Sequence, residues 1–413
     1  MTSSLANGLH AAKQRFLDAY AVLEAQLTEP LLRRVRQAGI AAFDTLGFPG
    51  PRDEDWKNTP LQSVLAAEYA TCSPDLGQGW HEVNGVTVCP LSWAVRETPE
   101  LVERYLGRVV EARAGAMIAL NTAFISEGIF IYVPANTLVL QPISLEFTTT
   151  GPGAWHRRVL VVVERGAQLT LVEHHTSCPA QGTLSTKVAE IVVAENAQVD
   201  HYLYQDEDRN AALFSTLAVQ LARDSRFRTH YFGFGGSLVR HEARVRFGGE
   251  NAEATVNGLY QGTGTQHYDN FTVIDHAVPH CNSHELYKGI LDDQARGVFT
   301  GKIYVRPDAQ KTDAKQTNQT LLLSDDATIN TKPQLEIFAD DVKCTHGATV
   351  GQLDDRQRFY LRSRGISDTQ ARALLTFAFA NDLIGRVQVP ELRRTLERRL
   401  LQTHHLPEIE DDE

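Results

Sequence analysis

Cys344 and His346, in the stretch DDVKCTHGATVG that runs from Asp340 to Gly351, set a thiol and an imidazole two residues apart. Residues two apart in an extended strand face the same side, so the pair projects together, with Asp340 and Val342 on that face too. A thiolate beside an imidazole suits a soft or borderline metal such as zinc or iron. Two ligands do not complete a site, so an adjacent segment, a second subunit or a small ligand must supply the rest. The competing reading is structural: an inward-packed thiol and a surface histidine.

A second constellation is DHAVPHCNSHE, which offers His276, His280, Cys281, His284 and Glu285. His280, Cys281 and His284 are weaker metal candidates, because spacing in an irregular turn fixes no geometry and solvated loop histidines explain it equally well. His174 and His175, with His201, are weaker still. The five cysteines, Cys72, Cys89, Cys178, Cys281 and Cys344, are scattered and form no CxxC, so neither a zinc ribbon nor a thioredoxin motif is present. They read as free thiols in a reducing compartment. GVFTGKI, from Gly297 to Ile303, has three residues between its glycines where a phosphate loop has four, and Ile303 stands where a magnesium-binding Ser or Thr belongs. Asp292, Asp293, Asp308, Asp313, Asp325 and Asp326 sit mostly in turns, where Asp is favoured for backbone reasons. They give little support to a carbohydrate enzyme, which needs paired carboxylates in a groove.

The elements that must position these residues change character along the chain. The 413 residues are 42% hydrophobic and 22% charged, as in an ordinary globular protein. A net charge of -11 argues against nucleic acid as the main partner. No apolar run is long enough to span a membrane, and the first residues lack a secretion-signal pattern. The expected compartment is the cytoplasm.

Apolar residues at three- and four-residue spacing predict helix over 5–40, with Pro30 opening a second helix, and again over 98–113. Pro49, Pro51 and Pro60 make 46–61 turn-rich. Beyond Ala114 short β-rich runs follow one another, each bounded by Gly, Asn, Asp or Pro. VVVERGAQL matches IVVAENAQV at a shift of 30, and the small residues Thr137, Ala167, Ala197, Ser225 and Ala252 recur at intervals of 30, 30, 28 and 27. DDATI, around Ala327, resembles them further on. A period in the high twenties built from strands and tight turns predicts a β-solenoid of roughly eight coils. A large β-sandwich with coincidental spacing is the alternative. Helix returns at the end: Gly365 suits the residue after a helix, Ser367 or Asp368 can cap the next, and Pro390 opens a third. The expected organisation is an N-terminal helical region (1–114), a β-helix core (115–350) and a C-terminal helical domain (351–413).

The stretch from Asp308 to Ser367, including KQTNQTLLLSDDATINTKPQLEIFADDVKCTHGATVG, closely resembles the core signature of the SufB/SufD family of iron–sulfur cluster assembly proteins. DEDWKNTPL and LYKGILDDQARGVFTGKIYV fit the same family. The resemblance implies a mainly β fold, a right-handed parallel β-helix flanked by helical domains. SufB-like chains carry a sulfur-accepting cysteine where Asn318 stands here, and a glutamate where Gly347 stands; the Cys-x-His pair looks like SufD. By that resemblance Cys344 and His346 lie at an interface with SufB and bind transient iron or a nascent iron–sulfur cluster. The resemblance further implies that the C-terminal helices dock the SufC ATPase, whose ATP-driven dimerisation would shift the interface and expose Cys344. The chain is then a scaffold without a catalytic site of its own. A purely structural partner of SufB, and a polysaccharide-active β-helix, are the competing functions. Whether a flavin binds is left open. An exposed strand edge makes a homodimer of the isolated chain an expectation as well.

Overall fold

The computed structural model describes residues 2–25, 28–72, 81–83, 85–125, 127–179, 182–404 and 406. Its centre is a parallel β-solenoid of eight coils. Each coil contributes one strand to each of two facing parallel sheets, from Glu127–Val133 with Ile143–Thr149 in the first coil to Thr328–Ile337 with Lys343–Gly351 in the last. Strands pair with the equivalent strand one coil away, so every residue stacks on its counterpart in a fixed register. The short strands Val86–Pro90 and His81–Val83 extend the first sheet antiparallel at its early end.

The recurrence of small residues is one corner of this solenoid. Ala167, Ala197, Ser225 and Ala252 are buried there, and the ladder runs on through Cys281 and Thr312. The residue after each corner donates its N–H to the corner carbonyl of the previous coil, as in Gln198 to Ala167 (2.9 Å) and Asn282 to Ala252 (3.0 Å). The residue before each of the first seven of these corners has a left-handed backbone: Asn136, Asn196, Asp224 and Asn251 have φ between 54° and 60°. Asn and Asp tolerate that region best among residues with a Cβ, which explains their repetition. Ala327 belongs to the opposite corner, since it precedes a strand of the first sheet, as Ala295 does.

Val159, Val161, Ile191, Val219 and Val245 are among the inward residues that build a continuous apolar core. Both outer faces are covered. Phe16, Phe43, Leu120 and Phe124 pack on Leu184, Ala212 and Phe214 of the first sheet. Leu383, Ile384, Leu396 and Leu400 pack on Tyr202, Phe232, Leu259 and Ile290 of the second.

The helices start and stop for local reasons. Pro30 opens Pro30–Leu46 and Pro390 opens Pro390–Thr403. Ser367 and Gln370 form a reciprocal capping box at the head of Asp368–Ile384, and Gly365, at φ 87°, ends the preceding helix. Gln62–Leu65, Leu91–Glu97 and Ala116–Ala123 are helices absent from the sequence pattern. Ala116–Ala123 is buried along its whole length, so it has no polar face to produce a helical period.

The turn-rich segment around Trp56 lies as a strap on the outer face of the first sheet. Thr59 donates to Asp269 (2.6 Å), Lys302 pairs with Asp55 (2.7 Å), and the guanidinium of Arg240 sits 3.9 Å from the Trp56 ring centroid. Glu54 pairs with Lys332 on the last coil.

Candidate functional site

Cys344 and His346 lie on Lys343–Gly351, the last strand of the second sheet. Their register partners one coil back are Ala314 and Gln316, and those in turn align with Ser283 and Glu285. Ala314, Gln316, Ser283 and Glu285 are all buried, so this is the inward face of the sheet. Cys344 and His346 therefore share the face that turns toward the solenoid axis. Because no further coil follows, that face is open at their level. Val342 packs against the same core from the corner just before the strand. Asp340 is exposed in the turn, outside the strand, so it does not share the face with the pair.

Cys344 is half-buried and packs on the solenoid core, whereas His346 is exposed. Burial pushes the Cys344 thiol pKa up and Asp313 adds to the rise, against the backbone N–H of Ala314. The thiol is thus protonated at neutral pH, and a metal must displace its proton to bind. Among the described residues no three His, Cys, Asp or Glu side chains converge into a metal-binding group. The pair offers half of a tetrahedral ligand set, and no other described residue adds to it.

The histidine-rich stretch is dispersed by the fold. Cys281 is a corner residue, wholly buried, with its thiol directed at the carbonyls of Gly249 and Pro279, 3.4 Å from each. His280 is the left-handed residue before that corner (φ 60°), with its N–H bonded to Gln310. His284 is exposed on the outward side of its strand. His276 and Glu285 point inward, His276 to Ser283 (2.9 Å) and Glu285 to Thr272 (2.6 Å) and Gln316 (2.7 Å). The density of donors is the corner-and-strand alternation of one coil. GVFTGKI is a stretch of the strand Arg296–Val305 rather than a loop.

Asn318 is buried one coil behind the open end, where its amide donates to Thr331 of the facing sheet (3.0 Å). Gly347 follows His346, and nothing lies within 4 Å of where its Cβ would be.

Sequence reasoning missed a set of charged residues inside the solenoid. Glu173 lies at its heart, bonded to Lys187 (2.6 Å), His201 (2.9 Å) and His175 (3.3 Å). Burial alone would raise the Glu173 pKa, but Lys187 and the two histidines hold it well below the usual range. Burial lowers the His175 pKa to about 3. Arg157 donates to Thr149 (2.8 Å) and lies 3.8 Å from Glu207. The signal was present: Arg157, Lys187, Ser215, His241 and Asn270 recur at 30, 28, 26 and 29 residues, but only a known register reveals that they share an inward column.

The fold and the site define a class: a β-solenoid sheathed by helices on both sheets and left open at one end, where a strand presents a thiol and an imidazole. A family described as the SufBD core domain of the SUF system for FeS cluster assembly matches residues 147–379, and the SufBD protein N-terminal region matches 78–145. An iron-sulfur cluster assembly SufBD family protein of Synechocystis is 31% identical over 409 residues, covering 89% of this chain and 90% of its own. The iron-sulfur cluster assembly protein SufD of Escherichia coli is 31% identical over 377 residues, covering 86% and 89%. Protein ABCI7 of Arabidopsis thaliana chloroplasts is 33% identical over 275 residues, covering 64% and 58%. The chain belongs to the SufBD family of iron–sulfur cluster assembly proteins, and is SufD-like.

Proposed function

We propose that the chain is a scaffold subunit of a SUF assembly complex, paired with SufB through the open end of its solenoid. Cys344 and His346 supply part of a ligand set for iron or a nascent cluster, and the partner supplies the rest. The cluster is cargo in this reading, held during assembly and passed on. The observation that carries the proposal is the placement of the pair: two ligands on one inward face, at an edge that no described residue of this chain covers. Asn318 and Gly347, in place of the cysteine and glutamate expected of SufB-like chains, support a role in which this chain does not build a cluster alone.

The domains then have distinct tasks. Residues 1–114 brace the first sheet, 115–350 form the assembly core, and the helices of 351–413 dock the SufC ATPase. Phe359 and Tyr360 are 72% and 57% exposed on the helix Asp355–Ser363, which supports a docking role there. The expected compartment is the cytoplasm; among the described residues no helix is long and apolar enough to cross a membrane.

The test is the iron and acid-labile sulfide content of the anaerobically co-expressed complex, wild type against Cys344→Ala and His346→Ala. The expected result is a large loss of both with the complex intact. Unchanged content in the double variant would reduce this chain to a structural partner.

A further inference from the structure

The inside of the solenoid carries a polar seam along its apolar core. In the first sheet Arg157, Lys187, Ser215, His241 and Asn270 stack on successive coils, all buried. In the facing sheet His201, Thr229, Glu285, Gln316 and His346 share one column, interrupted by Val256. Bonds between the two sheets show that these side chains point at each other: Lys187 to Glu173 (2.6 Å), Thr272 to Glu285 (2.6 Å) and Asn318 to Thr331 (3.0 Å).

Between those bonds lie polar atoms that no protein group satisfies. They are Ser215 Oγ, His241 Nδ1, both amide atoms of Asn270, and the hydroxyls of Tyr231 and Tyr287. Each of these residues is 2% exposed or less. Such groups are destabilising unless paired, and in folded proteins the usual partner in a polar interior is ordered water. The spacing suits it. Adjacent coils are about 4.8 Å apart, too far for one direct hydrogen bond between stacked atoms and right for one bridging water at about 2.8 Å from each.

We propose that the polar seam is a hydrated file that carries protons between the buried Glu173–Lys187–His201 cluster and the open end of the solenoid beyond Gln316. The route runs from the cluster past Ser215, His241 and Asn270 of the first sheet. Phe299 blocks the next position of that column, and there the file crosses through Thr272 to Glu285 and Gln316 of the second sheet. Each transfer hands one proton from a water or side chain to the next and receives one behind it. Nothing is oxidised or reduced, and no other reactant is needed. The file is independent of whether iron binds at Cys344, because none of its members needs a metal.

Two measurements on the full chain test it. A crystal structure at high resolution is expected to place ordered waters against Ser215 Oγ, His241 Nδ1 and Asn270. The second is solvent exchange of the His201 ring N–H, read by NMR on protein carrying nitrogen-15 histidine. Plugging both sheets with Asn270→Leu and Gln316→Leu is expected to slow that exchange at least tenfold, with backbone amide protection of the core strands unchanged. Equal exchange in plugged and wild-type chains overturns the proton route. A dry seam in the wild-type crystal overturns the hydrated file, whether or not the plugged chain folds.

Discussion

Glu285 gives the most direct test of how polar groups are held inside the solenoid. Its carboxyl accepts from Thr272 and from the amide of Gln316, and it is 3% exposed. Burial raises its pKa from 4.5 to about 7, outweighing those two bonds. Between pH 4.5 and 7 the folded chain therefore holds a proton that the unfolded chain has released. The stability tied to that proton is complete below pH 4.5 and is lost as pH rises through 7. At ~1.4 kcal/mol per pH unit over that span, ionised Glu285 costs about 3 kcal/mol at pH 8. Glu285→Gln removes the ionisation and keeps the shape. Its amide can donate to Gln316 Oε1, which lacks a partner in the wild type. The variant is expected to be more stable than wild type by about 3 kcal/mol at pH 8, and by less than about 1 kcal/mol at pH 5. Urea unfolding of the full chain at pH 8, 6.5 and 5 measures this. A stability change that is the same at all three, or a loss at pH 8, would refute the reasoning.

Two further perturbations probe the same interior. Glu173→Gln leaves Lys187 buried without its counter-charge and is expected to lower stability by about 3–5 kcal/mol at pH 7, read from denaturant midpoints; adding Lys187→Met should recover much of the loss. The wild-type Glu173 carboxylate contributes stability above the ordinary carboxylate pKa that is lost as pH falls through its depressed folded value, so acid should narrow the gap between wild type and Glu173→Gln. A Cβ at Gly258 would overlap the ring of Tyr287, so Gly258→Ala is expected to cost about 1–3 kcal/mol by overpacking, and Tyr287→Leu in the same chain should relieve it; no relief would mean that the cost lies in the backbone.

The solenoid was legible because its constraint is repeated. A corner needs a small residue after a left-handed one, and that demand returns with every coil before the last, so Asn-Ala, Asp-Ser and Asn-Thr recur visibly. The ladder fades in the sequence where other residues meet the same demand: His280-Cys281 and Lys311-Thr312 occupy corners too, and the types of His280 and Cys281 suggested chemistry instead of geometry. The polar interior was illegible for the opposite reason. Lys187, His201 and Glu173 sit in strands rich in Val and Leu, and one strand cannot say which of its alternating faces is inside. Tyr231, Gly258 and Tyr287 share a column in which a glycine makes room for the ring beside it; that fit exists only across coils. The position of Cys344 and His346 on one strand face followed from spacing alone. Their placement at the open end did not, because it depends on which coil is last.

That last coil joins the proposals. Strands of the six coils between the first and the last are bonded on both sides, while Thr328–Ile337 and Lys343–Gly351 each have a partner on one side only among the described residues. Ile337, Phe338 and Val350 are 41%, 58% and 44% exposed at this end. An open edge with apolar residues is a hazard in a lone chain and a docking template in a complex. A partner that adds a strand to each sheet would satisfy both edges at once. It would also set its own ligands opposite Cys344 and His346, and close the polar seam whose outermost members are Gln316 and His346. Separating the partner would reverse all three together. A variant that blocks edge pairing, such as Val350→Pro, is thus expected to abolish complex formation and iron retention in parallel, whereas Cys344→Ala abolishes iron retention alone. Loss of iron from the Val350→Pro chain with the complex still assembled would place the docking surface elsewhere on the molecule.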